Sequence, residues 1–425
     1  MEALVQRVEG VEGAVEAPPS KSYTHRAFVI AALAEGRSTI RRYLKAGDTL
    51  STLKALRAFG VRLEVGEEVA IEGTGGRLKA PPGPIDCENS GTSIRLLSSL
   101  AALDGPAILT GDASIQRRPM GPLLAALAQL GVEARSLKGD GTPPVQVGGG
   151  GLKGGRVEIR GDVSSQFISS LLISAPYARA DVELVITTPL KSRPYVDVTL
   201  EIMGRFGVEV ENRDYQRFLI PAGRRYRGQD YGVEGDYSSA SYFLALAPLT
   251  NSRVRVGNLN PHSKQGDRQI LDILKNMGAQ VERSSGGVTV AGGRLEGIEV
   301  DLGDTPDLLP TVAVLGARAE GRTVIRNVEH ARYKETDRLR ACSLELRKLG
   351  ARVEEARDGL VIEGGGLKGA RVESYGDHRM AMAMTIAGLS ADGTTTVDGI
   401  ECVQISFPGF YDLIKGLCPG RVTLR

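Results

Sequence analysis

The sequence predicts an α/β protein assembled from six copies of one structural unit of about 70 residues. Two observations support this prediction. Amphipathic segments that end on a glycine recur at a nearly constant spacing, and strongly apolar segments recur with the same period. Because a unit of this length is too long for a solenoid repeat, we expect each copy to be a small subdomain with one buried helix, one amphipathic helix and several strands.

The first recurring segment predicts an amphipathic helix followed by an alternating strand. Its copies are KALRAFGVRLEV, AALAQLGVEARS, EIMGRFGVEVEN, DILKNMGAQVER and ELRKLGARVEE, with a degenerate sixth, FYDLIKGLCPGRVTL, near the end of the chain. A glycine just after a helix readily adopts the left-handed conformation that ends it. We therefore expect helices to end at Gly60, Gly131, Gly207, Gly278 and Gly350.

The second recurring segment is apolar on all sides. Its copies begin HRAFVIAALA, SIRLLSSLAAL, QFISSLLISA, ASYFLALAPL, DLLPTVAVLGA and HRMAMAMTIAG, and each is followed by a turn and a short strand. A helix without a polar face is normally buried. Each copy therefore predicts the central helix of a subdomain.

Composition excludes several classes of protein. The 425 residues carry a formal charge of only +2, which argues against nucleic acid as a partner. The four cysteines show no CxxC spacing and there are only four histidines, so we expect neither a disulfide framework nor a metal site. No apolar run reaches membrane-spanning length and the N-terminus lacks a signal-peptide pattern, so we expect a cytoplasmic protein with no membrane partner.

The short segments in front of the six apolar helices carry the functional signal. They read PPSKSYTHR, ENSGTSIR, GDVSSQF, EGDYSSAS, GDTPDLL and YGDHRM. Helix capping explains their small polar residues. It does not explain the cations, which the positive end of a helix dipole disfavours unless an anion binds there. The cations in question are Lys21, Arg26, Arg95, His378 and Arg379, joined by Arg117 and Arg118 of QRRPMG.

A further charged run, YKETDRLR, precedes a predicted amphipathic helix. It contains Lys334, Glu335, Asp337, Arg338 and Arg340. Alone, this run is typical of a solvated first turn stabilised by pairs of charges three or four residues apart. Together with the other cations, it favours a site for an anionic substrate.

The motifs PSKSYTHRA, NSGTSIRLL, RRPMGPLLAAL, GDVSSQF, SRPYVDVTL, EGDYSSASYF, PDLLPT, YKETDRL and GDHRMAMA together resemble the 5-enolpyruvylshikimate-3-phosphate synthase family. The resemblance extends from about residue 18 to 410, in the family's order and spacing. It implies six βαβαββ subdomains in two domains, the inverse barrel of enolpyruvyl transferases. The lower domain would comprise residues 1–19 and 234–425, with the N-terminal segment completing one of its three repeats, and the upper domain residues 20–233.

The resemblance also implies an activity. The family transfers the enolpyruvyl group of phosphoenolpyruvate to the 5-hydroxyl of shikimate 3-phosphate, by addition and elimination, in a cleft between two closing domains. Both substrates are polyanions, which suits a cationic site. The reaction requires general acid–base catalysis and neither metal nor cofactor. The inhibitor glyphosate occupies the phosphoenolpyruvate site, and we expect a monomer.

The site residues implied by the resemblance fall into three groups. The shikimate 3-phosphate site would comprise Lys21, Ser22, Arg26, Ser164, Ser165, Gln166, Ser192, Tyr195, Asp307 and Lys334. The phosphoenolpyruvate site would comprise Lys21, Asn89, Gly91, Arg118, Arg338 and Arg379. Catalysis would depend on Asp307 and Glu335 as the acid–base pair, with Lys21 and His378. Arg95 is expected to be structural and to hold the glycine loop.

Two positions depart from the family pattern. Many members have a lysine where CVQISFP has Ile405, so the resemblance leaves one contact to the phosphate of phosphoenolpyruvate unassigned. His330 stands where other members often have asparagine.

Three other functions can be compared with the sequence, and for each, one residue feature argues against it. The related transferase that acts on UDP-N-acetylglucosamine has a reactive cysteine where GDASIQRRP has Ala113. An anion-binding module without catalysis would not need Asp307 and Glu335 among the cations. A relative that processes RNA ends would need a nucleophilic histidine near the C-terminus, and the last histidine is His378.

Overall fold

The computed structural model describes all residues from Met1 to Arg425. The chain forms two compact units, here called unit 1 (Met1–Pro18 with Glu234–Arg425) and unit 2 (Pro19–Val233). Its α-helices are α1 (Lys21–Leu33), α2 (Gly47–Ala58), α3 (Gly91–Ala101), α4 (Gly121–Gln129), α5 (Ser165–Ser174), α6 (Arg193–Arg205), α7 (Tyr237–Leu249), α8 (Ile270–Asn276), α9 (Leu309–Arg318), α10 (Arg338–Lys348), α11 (His378–Ser390) and α12 (Phe410–Leu417).

The strands are short, and each unit contains half of them. The first fourteen are β1 (Glu2–Gln6), β2 (Glu12–Glu16), β3 (Arg37–Arg41), β4 (Arg62–Val65), β5 (Val69–Glu72), β6 (Ile85–Asp86), β7 (Ala107–Thr110), β8 (Ala134–Ser136), β9 (Val145–Val147), β10 (Gly155–Ile159), β11 (Val182–Ile186), β12 (Glu211–Arg213), β13 (Arg217–Ile220) and β14 (Asp230–Gly232). The remaining ten are β15 (Arg253–Gly257), β16 (Gln280–Ser284), β17 (Gly287–Ala291), β18 (Glu299–Asp301), β19 (Arg322–Arg326), β20 (Arg352–Glu355), β21 (Leu360–Glu363), β22 (Arg371–Glu373), β23 (Thr394–Asp398) and β24 (Val422–Leu424).

All six sheets have four strands and the same topology. In the sheet ordered β10-β11-β13-β12, the first two strands are parallel and the other two pairs are antiparallel. With α5 and α6 between its strands, this segment is one βαβαββ repeat. The other sheets, β6-β7-β9-β8, β14-β3-β5-β4, β16-β17-β15-β2, β18-β19-β21-β20 and β22-β23-β1-β24, repeat the pattern. The predicted α/β fold of six repeats is therefore confirmed.

Three strands complete repeats that lie far away in the sequence. β14 pairs in parallel with β3, β2 pairs in parallel with β15, and β1 lies between β23 and β24. The N-terminal segment thus supplies a strand to two repeats of unit 1, where we expected one.

The apolar segments form the cores of the two units. In unit 1, α7, α9 and α11 pack against one another, and every residue of α7 is buried. In unit 2, the helices α1, α3 and α5 are almost entirely buried, and α3 contacts both α1 and α5. No helix is long and apolar enough to cross a membrane.

The predicted helix ends are also confirmed. Gly60, Gly131, Gly207, Gly278 and Gly350 all have left-handed backbone angles, with φ between 82° and 102°. Each follows an amphipathic helix and leads into the next strand or the turn before it.

Candidate active site

The charged cluster of unit 1 is centred on Arg338, the first residue of α10, whose side chain is only 1% exposed. Its Nη1 donates to Asp307 Oδ1 at 2.8 Å, its Nη2 to Glu335 Oε2 at 2.5 Å and its Nε to Asp377 Oδ2 at 2.7 Å. Burial alone lowers the pKa of the Arg338 guanidinium, but the three carboxylates outweigh it and the pKa is raised. Arg338 is therefore a fixed cation that holds three carboxylates together.

Local capping places these groups. Asp377 is the N-cap of α11, and its Oδ1 accepts a hydrogen bond from the Arg379 amide at 2.8 Å. Asp337 caps α10 in the same way, so that Lys334 and Glu335 lie before the helix rather than on it. Because Glu335 is only 11% exposed, the interpretation of YKETDRLR as a solvated first turn is wrong.

Asp307 lies in a short 3₁₀ turn, Pro306–Leu308, just before α9. Besides Arg338, it pairs with Arg379 Nη2 at 2.9 Å and lies 3.5 Å from Lys334 Nζ. Three cations from two segments, YKETDRLR and the start of α11, therefore converge on one carboxylate.

Asp267 is an additional carboxylate in this cluster that the sequence analysis missed. It is buried, it accepts a hydrogen bond from Ser238 Oγ near the start of α7, and burial together with the charge of Asp307 raises its pKa to about 7. The only sequence signal was an acidic residue in QGDR, which resembles an ordinary polar turn.

The cations of unit 2 are held differently. Lys21, the first residue of α1, pairs with Asp48 Oδ2 at 2.9 Å. Arg26, one turn later, is 1% exposed and has neutral partners: Thr199 Oγ1 at 2.7 Å, Ser169 Oγ at 3.1 Å and the carbonyls of Ser22 and Tyr195, both at 3.1 Å. Burial lowers the pKa of Arg26 to about 10. A buried cation without a carboxylate suits an anionic ligand.

Gln166 is held between α3 and the start of α5. Arg95 Nη1 donates to Gln166 Oε1 at 2.6 Å, and Gln166 Nε2 donates to Thr92 Oγ1 at 2.8 Å. Ser164 is the N-cap of α5 and accepts from the Gln166 amide at 3.3 Å, and Ser165 begins the helix. Arg95 thus joins α3 to the start of α5, and its described side-chain hydrogen bond goes to Gln166 rather than to the glycine loop that we expected it to hold.

Gly91 is the first residue of α3 and lies beneath Arg118. A Cβ atom added to Gly91 would lie 2.5 Å from Arg118 Nη1 and 3.5 Å from Arg95 Nη1. Arg118 also donates to Ser114 Oγ at 3.1 Å, and the neighbouring Asn89 donates to Asp112 Oδ2 at 2.6 Å. A side chain at position 91 would therefore displace the arginine.

A buried network of hydroxyl groups lies below this loop. His25 Nδ1 is 2.8 Å from Thr52 Oγ1, which is 2.6 Å from Ser93 Oγ, and Ser93 donates at 2.7 Å to Ser90, the N-cap of α3. Burial lowers the pKa of His25 far below its usual range, with Lys21 and Arg26 adding to the effect, so the imidazole is neutral. The network connects α1, α2 and α3 without any charge.

The remaining predicted residues occupy helix starts or turns. Ser192 is the N-cap of α6, and Tyr195 lies in its first turn beside Arg26. His378 is the buried first residue of α11. His330 is buried in the 3₁₀ helix Glu329–Tyr333. Ile405 is the last residue of the 3₁₀ helix Ile400–Ile405 and packs against the hydrophobic core.

No group of three or more His, Cys, Asp or Glu side chains is arranged to hold a metal ion. In unit 1 the structure brings together Asp307, Lys334, Glu335, Arg338 and Arg379 of the predicted set. In unit 2 it joins Ser22, Arg26 and Tyr195 as one group and Gly91, Arg95 and Gln166 as another.

Comparison with known proteins agrees with this architecture. Residues 5–414 match the family described as EPSP synthase (3-phosphoshikimate 1-carboxyvinyltransferase). The chain is 50% identical to the 3-phosphoshikimate 1-carboxyvinyltransferase of Methanocaldococcus jannaschii, with 97% of each chain covered. It is 53% identical to that of Methanothermobacter thermautotrophicus, covering 96% of this chain and 97% of the relative. The solved EPSP synthase from Acinetobacter baumannii superposes with a TM-score of 0.84 at 30% identity, with both chains covered completely.

Six βαβαββ repeats, with charged groups gathered at the starts of α1, α10 and α11, define the chain as an enolpyruvyl transferase-type enzyme. Within that class, it belongs to the EPSP synthase (3-phosphoshikimate 1-carboxyvinyltransferase) family.

Proposed function

We propose that this protein transfers the enolpyruvyl group of phosphoenolpyruvate to the 5-hydroxyl of shikimate 3-phosphate and releases phosphate. The observation that carries the proposal, together with family membership, is the pair Asp307 and Glu335 held by Arg338. A non-catalytic anion site would gain nothing from carboxylates here, because they repel the ligand. General acid–base catalysis requires them.

The reaction proceeds by addition and elimination. In the addition, the 5-hydroxyl loses its proton and bonds to C2 of phosphoenolpyruvate while C3 gains a proton. In the elimination, C3 gives up a proton, the double bond re-forms and phosphate leaves. Asp307 and Glu335 carry these protons. Asp307 contacts Arg338, Arg379 and Lys334, and Glu335 contacts Arg338, so both carboxylates lie beside cations. Lys21 and His378 assist them.

Shikimate 3-phosphate recognition is assigned mainly to unit 2. The unbalanced charge of Arg26 and the ammonium of Lys21 favour its phosphate, since a buried cation without a carboxylate gains most from an anion. Hydroxyl and amide groups at helix starts bind the remaining polar atoms. These groups belong to Ser22, Ser164, Ser165, Gln166, Ser192 and Tyr195. The family resemblance adds Asp307 and Lys334 to the proposed set.

Phosphoenolpyruvate recognition is assigned to cations and to the loop before α3. Arg118, Arg338, Arg379 and Lys21 bind its carboxylate and phosphate, and Asn89 contributes a polar group. Gly91 allows Arg118 to lie close to the start of α3, because an added Cβ atom would lie 2.5 Å from its Nη1. Ile405 packs against the core and offers no charge, so the phosphate depends on the arginines more than it does in family members with a lysine.

The protein works as a cytoplasmic monomer and needs neither metal nor cofactor. UDP-N-acetylglucosamine is disfavoured as the acceptor because Ala113 stands where that related transferase has its reactive cysteine.

The test is an assay of phosphate release from phosphoenolpyruvate. Release should require shikimate 3-phosphate and should not occur with UDP-N-acetylglucosamine in its place. Absence of release with both substrates present would refute the proposal, and release with the nucleotide sugar would change the acceptor.

A further inference from the structure

The loop in front of α11 has an unusual backbone. Tyr375 has a φ of 56° and the following Gly376 a φ of 67°, so two consecutive residues are left-handed. Glycine adopts this region freely, but a residue with a bulky side chain does so only where its surroundings hold it. The loop leads directly into Asp377, His378 and Arg379, which belong to the candidate active site.

One buried carboxylate, that of Glu345, contacts this loop at two points. Glu345, on α10, is fully buried, and its Oε1 accepts a hydrogen bond from the Tyr375 hydroxyl at 2.5 Å. Its other oxygen, Oε2, accepts from the Glu373 amide at 2.9 Å. Lys348, one turn later, balances the charge at 2.8 Å from Oε2. Charge-assisted hydrogen bonds of this kind are among the stronger polar contacts in proteins.

The same helix contacts the loop a second time. Arg338 at the start of α10 binds Asp377, and Glu345 two turns later binds Glu373 and Tyr375. One rigid element therefore holds the loop on both sides of its left-handed residues.

We propose that Glu345 and Tyr375 are positioning residues that hold the loop in the conformation in which Arg379 binds phosphoenolpyruvate. The proposal rests on the function proposed above. Neither side chain touches a reacting atom. Their effect is on the fraction of molecules in which the loop is ready to bind, and the apparent affinity scales with that fraction.

Unit 2 contains the matching position without the buried carboxylate. Glu88 is also left-handed, with a φ of 53°, and it also lies two residues before an N-cap, Ser90. Its side chain pairs with Lys54 on α2 at 2.5 Å, but Lys54 is 65% exposed. Exposed pairs contribute little, so this pair provides a matched control.

The decisive variant is Tyr375→Phe, which removes the hydroxyl and keeps the ring and the backbone. We expect the KM for phosphoenolpyruvate to rise about tenfold, as for loss of one charge-assisted hydrogen bond. The KM for shikimate 3-phosphate should stay within about twofold of the parent value, because unit 2 residues make most of the proposed contacts to that substrate. The kcat should also stay within about twofold, because Asp307 and Glu335 are unchanged. Hydrogen exchange of the amides from 373 to 379 should accelerate, and Lys54→Met should change neither constant.

A purely structural role predicts something else: a lower melting temperature with both KM values unchanged, or both raised together. Either result would overturn the proposal, as would an equal effect of Lys54→Met. If Tyr375→Phe folds poorly, Glu345→Gln weakens the same hydrogen bond from the other side. It too should raise the KM for phosphoenolpyruvate and leave the KM for shikimate 3-phosphate nearly unchanged. If the proposed function is wrong, the parent enzyme will not release phosphate. The hydrogen-exchange measurement does not depend on activity, and it tests directly whether Glu345 and Tyr375 hold the loop.

Discussion

The charge clusters of unit 1 and unit 2 differ in the partners of their buried arginine. In unit 1, Arg338 is surrounded by Asp307, Glu335 and Asp377, and its pKa is raised. In unit 2, Arg26 is equally buried but is bound by neutral oxygens, and its pKa is lowered to about 10. The first cluster is already balanced and keeps carboxylates available for proton transfer. In the second cluster Arg26 contacts no carboxylate, so a substrate can supply the anion.

This contrast predicts that variants of the carboxylates bound by Arg338 alter turnover and that variants of Arg26 alter the binding of shikimate 3-phosphate. The largest effect should come from Glu335→Gln, which keeps the shape and removes the basicity. We expect kcat to fall by about 10²–10⁴, the usual contribution of general acid–base catalysis, with little change in the binding of shikimate 3-phosphate.

The matched control is Glu355→Gln, because Glu355 also pairs with an arginine, Arg332, at 2.8 Å. Steady-state kinetics of the two variants should differ only in kcat. A Glu335→Gln enzyme with near-normal turnover would exclude Glu335 from the mechanism.

The second effect should come from Arg26→Lys, which keeps the charge but loses the planar fork that contacts four oxygens. The KM for shikimate 3-phosphate should rise about 10–100-fold, as for loss of hydrogen bonds to a charged group, with a smaller fall in kcat. Arg253→Lys, at an exposed pair with Glu282, should change neither constant. A fall in kcat without a rise in KM would contradict the contrast between the units.

A third, smaller effect concerns the loop at Gly91. Alanine there would displace Arg118, so the KM for phosphoenolpyruvate should rise by about tenfold through loss of one charge-assisted contact. We also propose that the added methyl group projects toward glyphosate, which is slightly longer than phosphoenolpyruvate, so the inhibition constant of glyphosate should rise further.

Gly121→Ala serves as its control, since Gly121 likewise begins a helix but an added Cβ would meet no atom within 4 Å. The KM for phosphoenolpyruvate and the inhibition constant of glyphosate should be measured for each variant. If Gly91→Ala raises both constants by the same factor, displacement of Arg118 explains the whole effect, and the proposed contact between the methyl group and glyphosate is wrong.

The smallest effect should appear in the pH dependence of stability. The raised pKa of Asp267, about 7, means that the folded protein holds a proton that the unfolded chain releases. Its contribution to stability is therefore fully present below the unfolded pKa and is lost as pH rises through about 7, by up to about 1.4 kcal/mol per pH unit.

Asp267→Asn removes this titration, so its melting temperature should rise relative to that of the parent as the pH increases from about 5 to about 8. The exposed Asp272, which pairs with Arg283, provides the control variant Asp272→Asn. Parallel pH profiles of the parent and Asp267→Asn would show that Asp267 does not hold the proton.

The sequence by itself determined the six repeats. Apolar helices, amphipathic helices and left-handed glycines such as Gly60 and Gly350 are local features, and local periodicity predicts them well. It also identified most of the charged residues of the candidate site, because cations at helix starts contradict the helix dipole and so differ from ordinary capping residues.

Only the tertiary structure decided how these residues are paired. Arg338 binds Asp377, 39 positions away, and β1 lies between β23 and β24 at the opposite end of the chain. Asp267 and Glu345 looked like an ordinary turn residue and an ordinary helix residue, because a carboxylate acquires its role from burial and from neighbours distant in the sequence. Those neighbours come together only when the helices pack, since charge interactions depend on separation in space and on exclusion of water.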